Sequence, residues 1–132
     1  MKPDFETTTQ TRYQSQRELG RGEDTRVELV YDQKRQLSLA RKTWEHTSAE
    51  LRFRLRQQHR RSLNITHPNI VKVYDLSANN ECTALTMEFV QGAPAPEYAA
   101  RLASHGASAQ QCLAGTVHLL RQLSAALVTL HQ

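Results

Sequence analysis

A glycine turn followed by two short alternating segments most constrains the fold of this chain. Gly20 and Gly22 precede residues 27–31, and residues 37–43 then return with Lys42. Glycines allow backbone N–H groups to approach a phosphate closely, and a lysine on the returning strand can neutralise it. Two glycines in a turn are a weak signal by themselves. The interpretation therefore depends on the segments that follow.

The composition is that of one small domain. The 132 residues are 39% hydrophobic and carry a formal net charge of +4. No apolar segment approaches the length needed to span a bilayer, and the first residues lack the apolar core of a secretion signal, so we expect a cytoplasmic protein. Cys82 and Cys112 stand far apart without metal-ligand spacing, and we expect both to be reduced.

Hydrophobic periodicity predicts an α+β fold with five strands. Residues 13–19 lead into the glycine turn, and the two segments after it complete a three-stranded antiparallel meander. Further strands are predicted at residues 70–76 and 84–90, separated by a polar turn. Residues 1–12 are rich in threonine and poor in apolar side chains, which predicts a flexible arm.

Thr47 and Glu50 have the spacing of a capping box and predict a helix over residues 51–63. Pro68 disfavours helix at the residue before it and closes the segment. The helix is strongly cationic, which raises the hypothesis of a nucleic-acid or acidic-partner surface. Aromatic interleaving is limited to Phe53, so nucleic-acid binding is the least favoured interpretation. The arginines are Arg52, Arg54, Arg56, Arg60 and Arg61.

Residues 91–96 contain a glycine and two prolines and predict a hinge or lobe boundary. A short helix is expected over residues 97–103. Ser108 and Gln111 form a second capping-box sequence before an amphipathic helix. Its apolar stripe predicts docking of a partner protein or a second copy of the chain. The stripe consists of Leu113, Val117, Leu120, Leu123, Leu127 and Leu130.

The order of these motifs resembles the N-terminal part of a bacterial Hanks-type Ser/Thr protein kinase or pseudokinase, over residues 13–132. The residues that carry the resemblance include His-Pro-Asn-Ile-Val at 67–71 and Met-Glu-Phe-Val at 87–90. The resemblance implies a small lobe over residues 13–91, with five antiparallel strands and one helix. Residues 92–132 would then be the hinge and the first helices of an incomplete large lobe.

The resemblance also implies binding roles for ATP. Gly20 and Gly22 would lie in the glycine-rich loop over the nucleotide phosphates, and Lys42 would bind the α and β phosphates. Val27 and Ala40 would form an apolar roof over adenine. Magnesium would arrive only with the nucleotide, and no residue is assigned as a metal ligand.

At the adenine edge, Met87 matches the gatekeeper position of the family. Glu88 and Val90 would offer backbone groups to the adenine.

The helix departs from the family pattern at the position that should pair with Lys42. Counting back from His67 by the family offset places Gln58 there, where the family has a glutamate. Leu51, Leu55 and Gln58 recur at spacings of four and three, so we expect them to share the inward face. A glutamine supplies no negative charge, which predicts a poorly positioned lysine.

The loop departs as well. Thr25 occupies the third glycine position, where a β-branched residue tolerates positive φ badly. Glu23 and Asp24 at the loop tip would face a triphosphate of the same sign, opposed in part by Arg21 and Arg26. We therefore expect nucleotide binding to be weak.

The family's catalytic aspartate, metal-binding asparagine and DFG aspartate would all lie beyond the last residues of this sequence. The chain alone is therefore expected to be inactive in phosphoryl transfer. Three functions stay open: the ATP-binding lobe of a kinase-like protein, a pseudokinase-derived interaction or oligomerisation module that needs no nucleotide, and a basic-helix nucleic-acid binder.

Overall fold

The computed structural model describes residues 12–132 and contains a five-stranded antiparallel sheet. The strands stand in the order β1-β2-β3-β5-β4, so β3 is central. Helices accompany the sheet, which confirms the predicted α+β fold. The strands are β1 (Tyr13–Arg21), β2 (Thr25–Asp32), β3 (Leu37–Glu45), β4 (Val73–Ala78) and β5 (Cys82–Glu88). The predicted flexible arm, apart from its last residue, lies outside the described residues.

The alternation of β2 and β3 sorts their side chains onto two faces of the sheet. Val30 and Leu39 are directly paired and are 2% and 0% exposed, and Tyr13 joins them in the core. Because paired residues point to the same side of a sheet, these three define one face, here called the tyrosine face. The opposite face carries Ala40 and Lys42 and is called the lysine face.

Helix α1 (Ala49–Ser62) begins two residues before the predicted range of 51–63, and its N-cap lies one residue after the predicted Thr47. The N-cap is Ser48, whose Oγ accepts from the Leu51 N–H at 3.1 Å. Thr47 is instead 5% exposed, and its hydroxyl shares a hydrogen bond with that of Thr83 in β5. Glu50 forms an ion pair with an arginine one turn later on the helix surface. The predicted Thr47–Glu50 capping box is therefore wrong.

The fourth and fifth strands begin and end at different residues from those predicted. A turn after Pro68 extends to Ile70, whose N–H donates to the His67 carbonyl at 3.1 Å, and β4 therefore starts at Val73. The turn before β5 is closed by the Asn79 side chain, which accepts from two backbone N–H groups. The first turn is closed by a backbone carbonyl and the second by a side-chain acceptor, and the two turns explain the shifts.

The chain divides into two compact units, which are described separately. The first contains the sheet and α1, and the second contains Ile65–Ile70 and Val90–Gln132. The second unit includes helix α2 (Ala95–Ser104) and helix α3 (Ala109–Leu130). The division into a small lobe over residues 13–91 and the hinge and first helices of an incomplete large lobe over residues 92–132 stays a prediction.

Helix α3 begins with the predicted capping box. The Ser108 hydroxyl accepts from the Gln111 N–H at 3.2 Å, and the Gln111 side chain accepts from the Ser108 N–H at 2.8 Å. The helix buries Ala126, while its predicted apolar stripe is 41% to 64% exposed. Within the described unit, α3 therefore buries the small side chain of Ala126, and the large apolar side chains of the stripe are exposed.

Within the described residues, α3 is also long and apolar enough to cross a membrane. It has 22 residues, and an 18-residue window reaches a mean hydropathy of 1.3. The prediction from sequence that no apolar segment approaches the length needed to span a bilayer is therefore wrong. Length and composition do not separate a spanning helix from one that packs against protein.

Candidate functional site

Several predicted site residues share the lysine face of the sheet. Val27 in β2 is paired with Lys42 in β3, and Ala40 in β3 is paired with Met87 in β5. Ala40 and Lys42 are two residues apart on one strand, so their side chains project from the same side. Ala40 is 8% exposed, and the other three are half-buried. These four positions therefore combine three apolar side chains with one cation.

Lys42 rests against an aromatic ring. Its Nζ lies 5.0 Å from the centroid of the Trp44 ring, within the range of a cation–π interaction. Among residues 12–132, no carboxylate forms an ion pair with Lys42. The positive charge is thus held in place without being neutralised.

Gln58 does not share the inward face of α1, which corrects the prediction. Its side chain is exposed, and the buried and half-buried positions on this side are Leu51, Leu55 and His59. The His59 Nε2 lies 2.9 Å from the Tyr74 carbonyl of β4. The inward-facing residues therefore continue from Leu55 to His59, four positions on, and not to Gln58, three positions on. Gln58 faces solvent instead.

The glycine turn is closed by Thr25. The Gly22 N–H donates to the Thr25 carbonyl at 2.7 Å, and a Cβ on Gly22 would stand 2.7 Å from the Thr25 Oγ1. Positive φ among the described non-glycine residues occurs at Gln36 and His46 and not at Thr25, so the predicted strain there is wrong. Thr25 is simply the first residue of β2. A Cβ on Gly20 would meet nothing within 4 Å, which leaves its backbone open to close approach.

The two arginines expected to oppose the acidic loop tip are engaged elsewhere. Arg21 pairs with Glu18 at 2.8 Å, and this hydrogen bond lowers the pKa of the Glu18 carboxyl. Arg26 approaches Glu28 at 3.5 Å and is paired across the strands with Thr43, on the tyrosine face. Neither arginine is therefore a free cation for the lysine face.

The predicted adenine edge is partly occupied by the chain itself. The Glu88 N–H donates to the Lys72 carbonyl at 2.8 Å, and the Glu88 carboxylate accepts from the Lys72 N–H at 3.2 Å. Val90 is 60% exposed and belongs to the second unit. The Glu88 N–H is thus committed to the sheet.

An ionic network on the tyrosine face was missed by sequence reasoning. The Asp32 side chain is 0% exposed and accepts from Arg12 at 2.8 and 3.0 Å and from Arg35 at 3.0 Å. Asp75 accepts from Arg35 at 2.5 Å, from Arg12 at 3.0 Å and from the Tyr13 hydroxyl at 2.9 Å. The members are separated by up to 63 residues, and no local motif links them.

This network shifts the ionisation of its members. Burial opposes ionisation of Asp32, but hydrogen bonds from Arg12 and Arg35 outweigh it and hold the pKa of the carboxyl well below its usual range. The same opposition leaves the pKa of Asp75 lowered. Burial, followed by the bond to Asp75, raises the pKa of the Tyr13 hydroxyl. The cluster ties β1, the β2–β3 turn and β4 together, and its charges are satisfied internally.

The family comparison agrees with this arrangement. The sequence model of the family described as protein kinase domain matches residues 13–132, which include the five strands and three helices bounded above. No curated protein matches the chain.

Proposed function

The chain belongs to the protein kinase domain family, and on that premise we propose that it is the ATP-binding lobe of a Ser/Thr protein-kinase-like protein. The observation that carries the proposal is Lys42, half-buried on the lysine face and free of an ion pair among the described residues. An ammonium of this kind retains its full charge for a phosphate. Serine/threonine specificity and a bacterial Hanks-type origin rest on the sequence resemblance alone.

The neighbours of Lys42 support a nucleotide rather than a bare phosphate. Val27, Ala40 and Met87 give the same face an apolar surface on which a purine can stack. Gly20 leaves open space beside its Cα at the strand end next to Val27. Magnesium, which bridges nucleotide phosphates in this family, would be carried by the ATP.

We infer weak affinity from the charges around the loop. Glu23 and Asp24 are exposed at its tip, and Arg21 and Arg26 are paired with carboxylates of their own strands. A polyphosphate approaching the loop therefore meets two negative charges that are not offset nearby.

The proposed activity stops at binding for these 132 residues taken alone. In this family the catalytic-loop aspartate and the DFG aspartate supply the base and a metal ligand. The sequence contains neither a His-Arg-Asp nor an Asp-Phe-Gly segment. A radiolabelled phosphoryl-transfer assay on a generic Ser/Thr substrate is expected to give no product; labelled substrate above the no-protein blank would contradict this.

Calorimetric titration with MgATP tests the proposal. We expect saturable heat for the native chain and at least a tenfold weaker response for Lys42→Met, because the main phosphate charge is removed. Lys72→Met is the matched control, since it removes an exposed lysine from the same sheet unit. Equal binding by native chain and Lys42→Met, or no heat from either, would refute an ATP-binding lobe.

Helix α3 supports a second candidate, an interaction or oligomerisation module that works without nucleotide. Its large apolar side chains form one exposed stripe, whereas apolar residues on an ordinary protein surface are scattered singly. Sedimentation of the native chain and of a Leu120→Gln, Leu127→Gln variant tests this candidate. Concentration-dependent association lost in the variant would favour it, and a monomer at all concentrations would argue against self-association.

The basic helix supports the nucleic-acid candidate least. Arg52 donates to the Thr47 and Asn80 carbonyls, and Arg54 is paired with Glu50. Two of the five arginines of the helix are therefore already engaged by groups of the chain itself. Binding to a random DNA duplex with a steep salt dependence would revive this candidate.

A further inference from the structure

We propose that Trp44 is the residue that positions Lys42 for phosphate binding. Its indole face holds the ammonium on the lysine face, where a helix carboxylate would otherwise be needed. The inference rests on the proposed nucleotide-binding function, and it adds a residue that no motif assigns.

The position of Trp44 follows from the sheet. It lies two residues after Lys42 on β3, so both side chains project from the same face. Trp44 is paired with Thr25 at the start of β2 and with Thr83 in β5. Thr83 is 0% exposed, and its hydroxyl bonds to that of Thr47 just before α1. The indole therefore stands on a fixed part of the sheet.

An indole holds a cation differently from a carboxylate. The ring attracts the ammonium through its quadrupole and brings no negative charge of its own, so the lysine can still form an ion pair with a phosphate. The contact also restricts a long side chain that would otherwise sample many rotamers. Pre-ordering of this kind improves affinity because less freedom is lost on binding.

The same sheet shows what the alternative looks like. On the tyrosine face Arg35 contacts two carboxylates, Asp32 and Asp75, and its charge is fully engaged. Lys42 has a ring and no ion-paired carboxylate among the described residues. Gln58, at the helix position where the family would supply the carboxylate, is exposed.

The competing explanation is that Trp44 is an ordinary packing residue. That explanation predicts that any large apolar side chain serves equally well and that Lys42 is indifferent to the change. Trp44→Phe keeps an aromatic face of weaker cation affinity, and Trp44→Leu keeps bulk without a ring. Comparing the two separates aromatic character from packing.

The first measurement is the NMR spectrum of the chain labelled at its four lysines, of which Lys42 is identified by loss of its signal in Lys42→Met. We expect the Lys42 Hε protons to be shifted upfield by the indole, less so in Trp44→Phe, and at their random-coil position in Trp44→Leu. Lys72, which lies 5.4 Å from the Tyr74 ring centroid, is the internal control and should not change. An unshifted Lys42 in the native chain would overturn the proposal.

The second measurement is the affinity for MgATP. We expect Trp44→Leu to bind about two- to fivefold more weakly than the native chain and Trp44→Phe to lie between them. Gln58→Glu should not compensate for Trp44→Leu, because the new carboxylate would face solvent. Thermal unfolding of each variant identifies any that fail to fold, in which case Trp44→Phe alone supplies the comparison.

The outcomes separate this inference from the proposed function. If the native chain binds MgATP and both Trp44 variants bind equally well, the positioning role is refuted while ATP binding stands. If the native chain does not bind MgATP, the proposed function and the positioning role both fail. The NMR shift then reports only whether the contact exists.

Discussion

The two faces of the sheet treat their charges in opposite ways. On the tyrosine face, Asp32 and Asp75 are each held by two arginines, and the buried Asp32 carboxylate keeps its charge because of them. On the lysine face, Lys42 lies against Trp44 and keeps its charge without a counterion among the described residues. The first arrangement uses charge to join strands, and the second leaves the lysine without an ion-pair partner among the described residues.

The partners of a charged residue indicate whether that residue contributes to the stability of the fold. A charge whose partners all come from the same chain contributes to the fold, and its removal leaves a partner unpaired in a buried place. A charge held by a neutral group contributes little to the stability of the fold, so its removal should destabilise the fold little. Variants on the two faces and in the loop test this distinction.

Removal of the Asp32 charge should have the largest effect on stability. Asp32→Asn leaves Arg12 and Arg35 with one carboxylate fewer at a fully buried position, and we expect a loss of about 3 kcal/mol in the free energy of unfolding. Urea denaturation measures it. Glu18→Gln, which breaks an exposed pair with Arg21, is the control and should cause no measurable change. Equal effects from the two variants would refute the stabilising role of the buried Asp32 network.

Acid should weaken the same network. The folded-state pKa values of Asp32 and Asp75 are lowered, so their contribution to stability is present above the unfolded-state pKa of about 4 and is lost as the pH falls below it. We expect the free energy of unfolding to begin to fall near about pH 5 and to go on falling below about pH 3, because the folded-state pKa of Asp32 lies far below the unfolded-state value. Asp32→Asn should show a shallower fall, and parallel pH profiles for the two proteins would contradict the assignment.

The two glycines should separate folding from binding within the loop. A Cβ on Gly22 would press on Thr25, so we expect Gly22→Ala to cost about 1 kcal/mol of stability, relieved in a Thr25→Ala background. Gly20→Ala meets open space and should unfold like the native chain, yet bind MgATP more weakly because its backbone is less approachable. Urea denaturation and calorimetry on both variants measure this, and a stability loss at Gly20 as large as at Gly22 would contradict it.

The smallest effect is expected at the loop tip. Replacing Glu23 and Asp24 by Gln and Asn removes two charges that face an incoming polyphosphate, and we expect MgATP affinity to rise roughly threefold at low salt. Raising the ionic strength is the control, because the advantage should disappear as the charges are screened. An advantage that persists in high salt would show that it is not electrostatic.

Much of the fold could be predicted from sequence because it follows local rules. The alternation of β2 and β3 placed Ala40 and Lys42 on one side, and the Ser108–Gln111 capping box fixed the start of α3. Each of these signals depends on residues within a few positions of one another. Such patterns survive folding because tertiary contacts agree with them.

The rest depended on contacts that a local pattern does not contain. His59, rather than the predicted Gln58, lies on the inward face of α1. The Tyr74 carbonyl that contacts the His59 ring belongs to β4. Thr47 does not cap α1 as predicted, because its hydroxyl is hydrogen-bonded to that of Thr83, which is distant in sequence. Trp44 had a usable signal, since its spacing of two from Lys42 places both on one face. The ionic network on the tyrosine face had none.

The strand order described above also sets the time at which the lysine face forms. β3 meets β2 through a short turn, but it meets β5 only after the chain has passed through α1 and β4: Glu45 is paired with Cys82, and Leu39 with Glu88. Closing so long a loop costs chain entropy before its contacts form, so such pairings come late in folding. Met87 therefore reaches Ala40 after the meander is in place. A chain still emerging from the ribosome would carry Lys42 on a formed hairpin well before Met87 completed the lysine face.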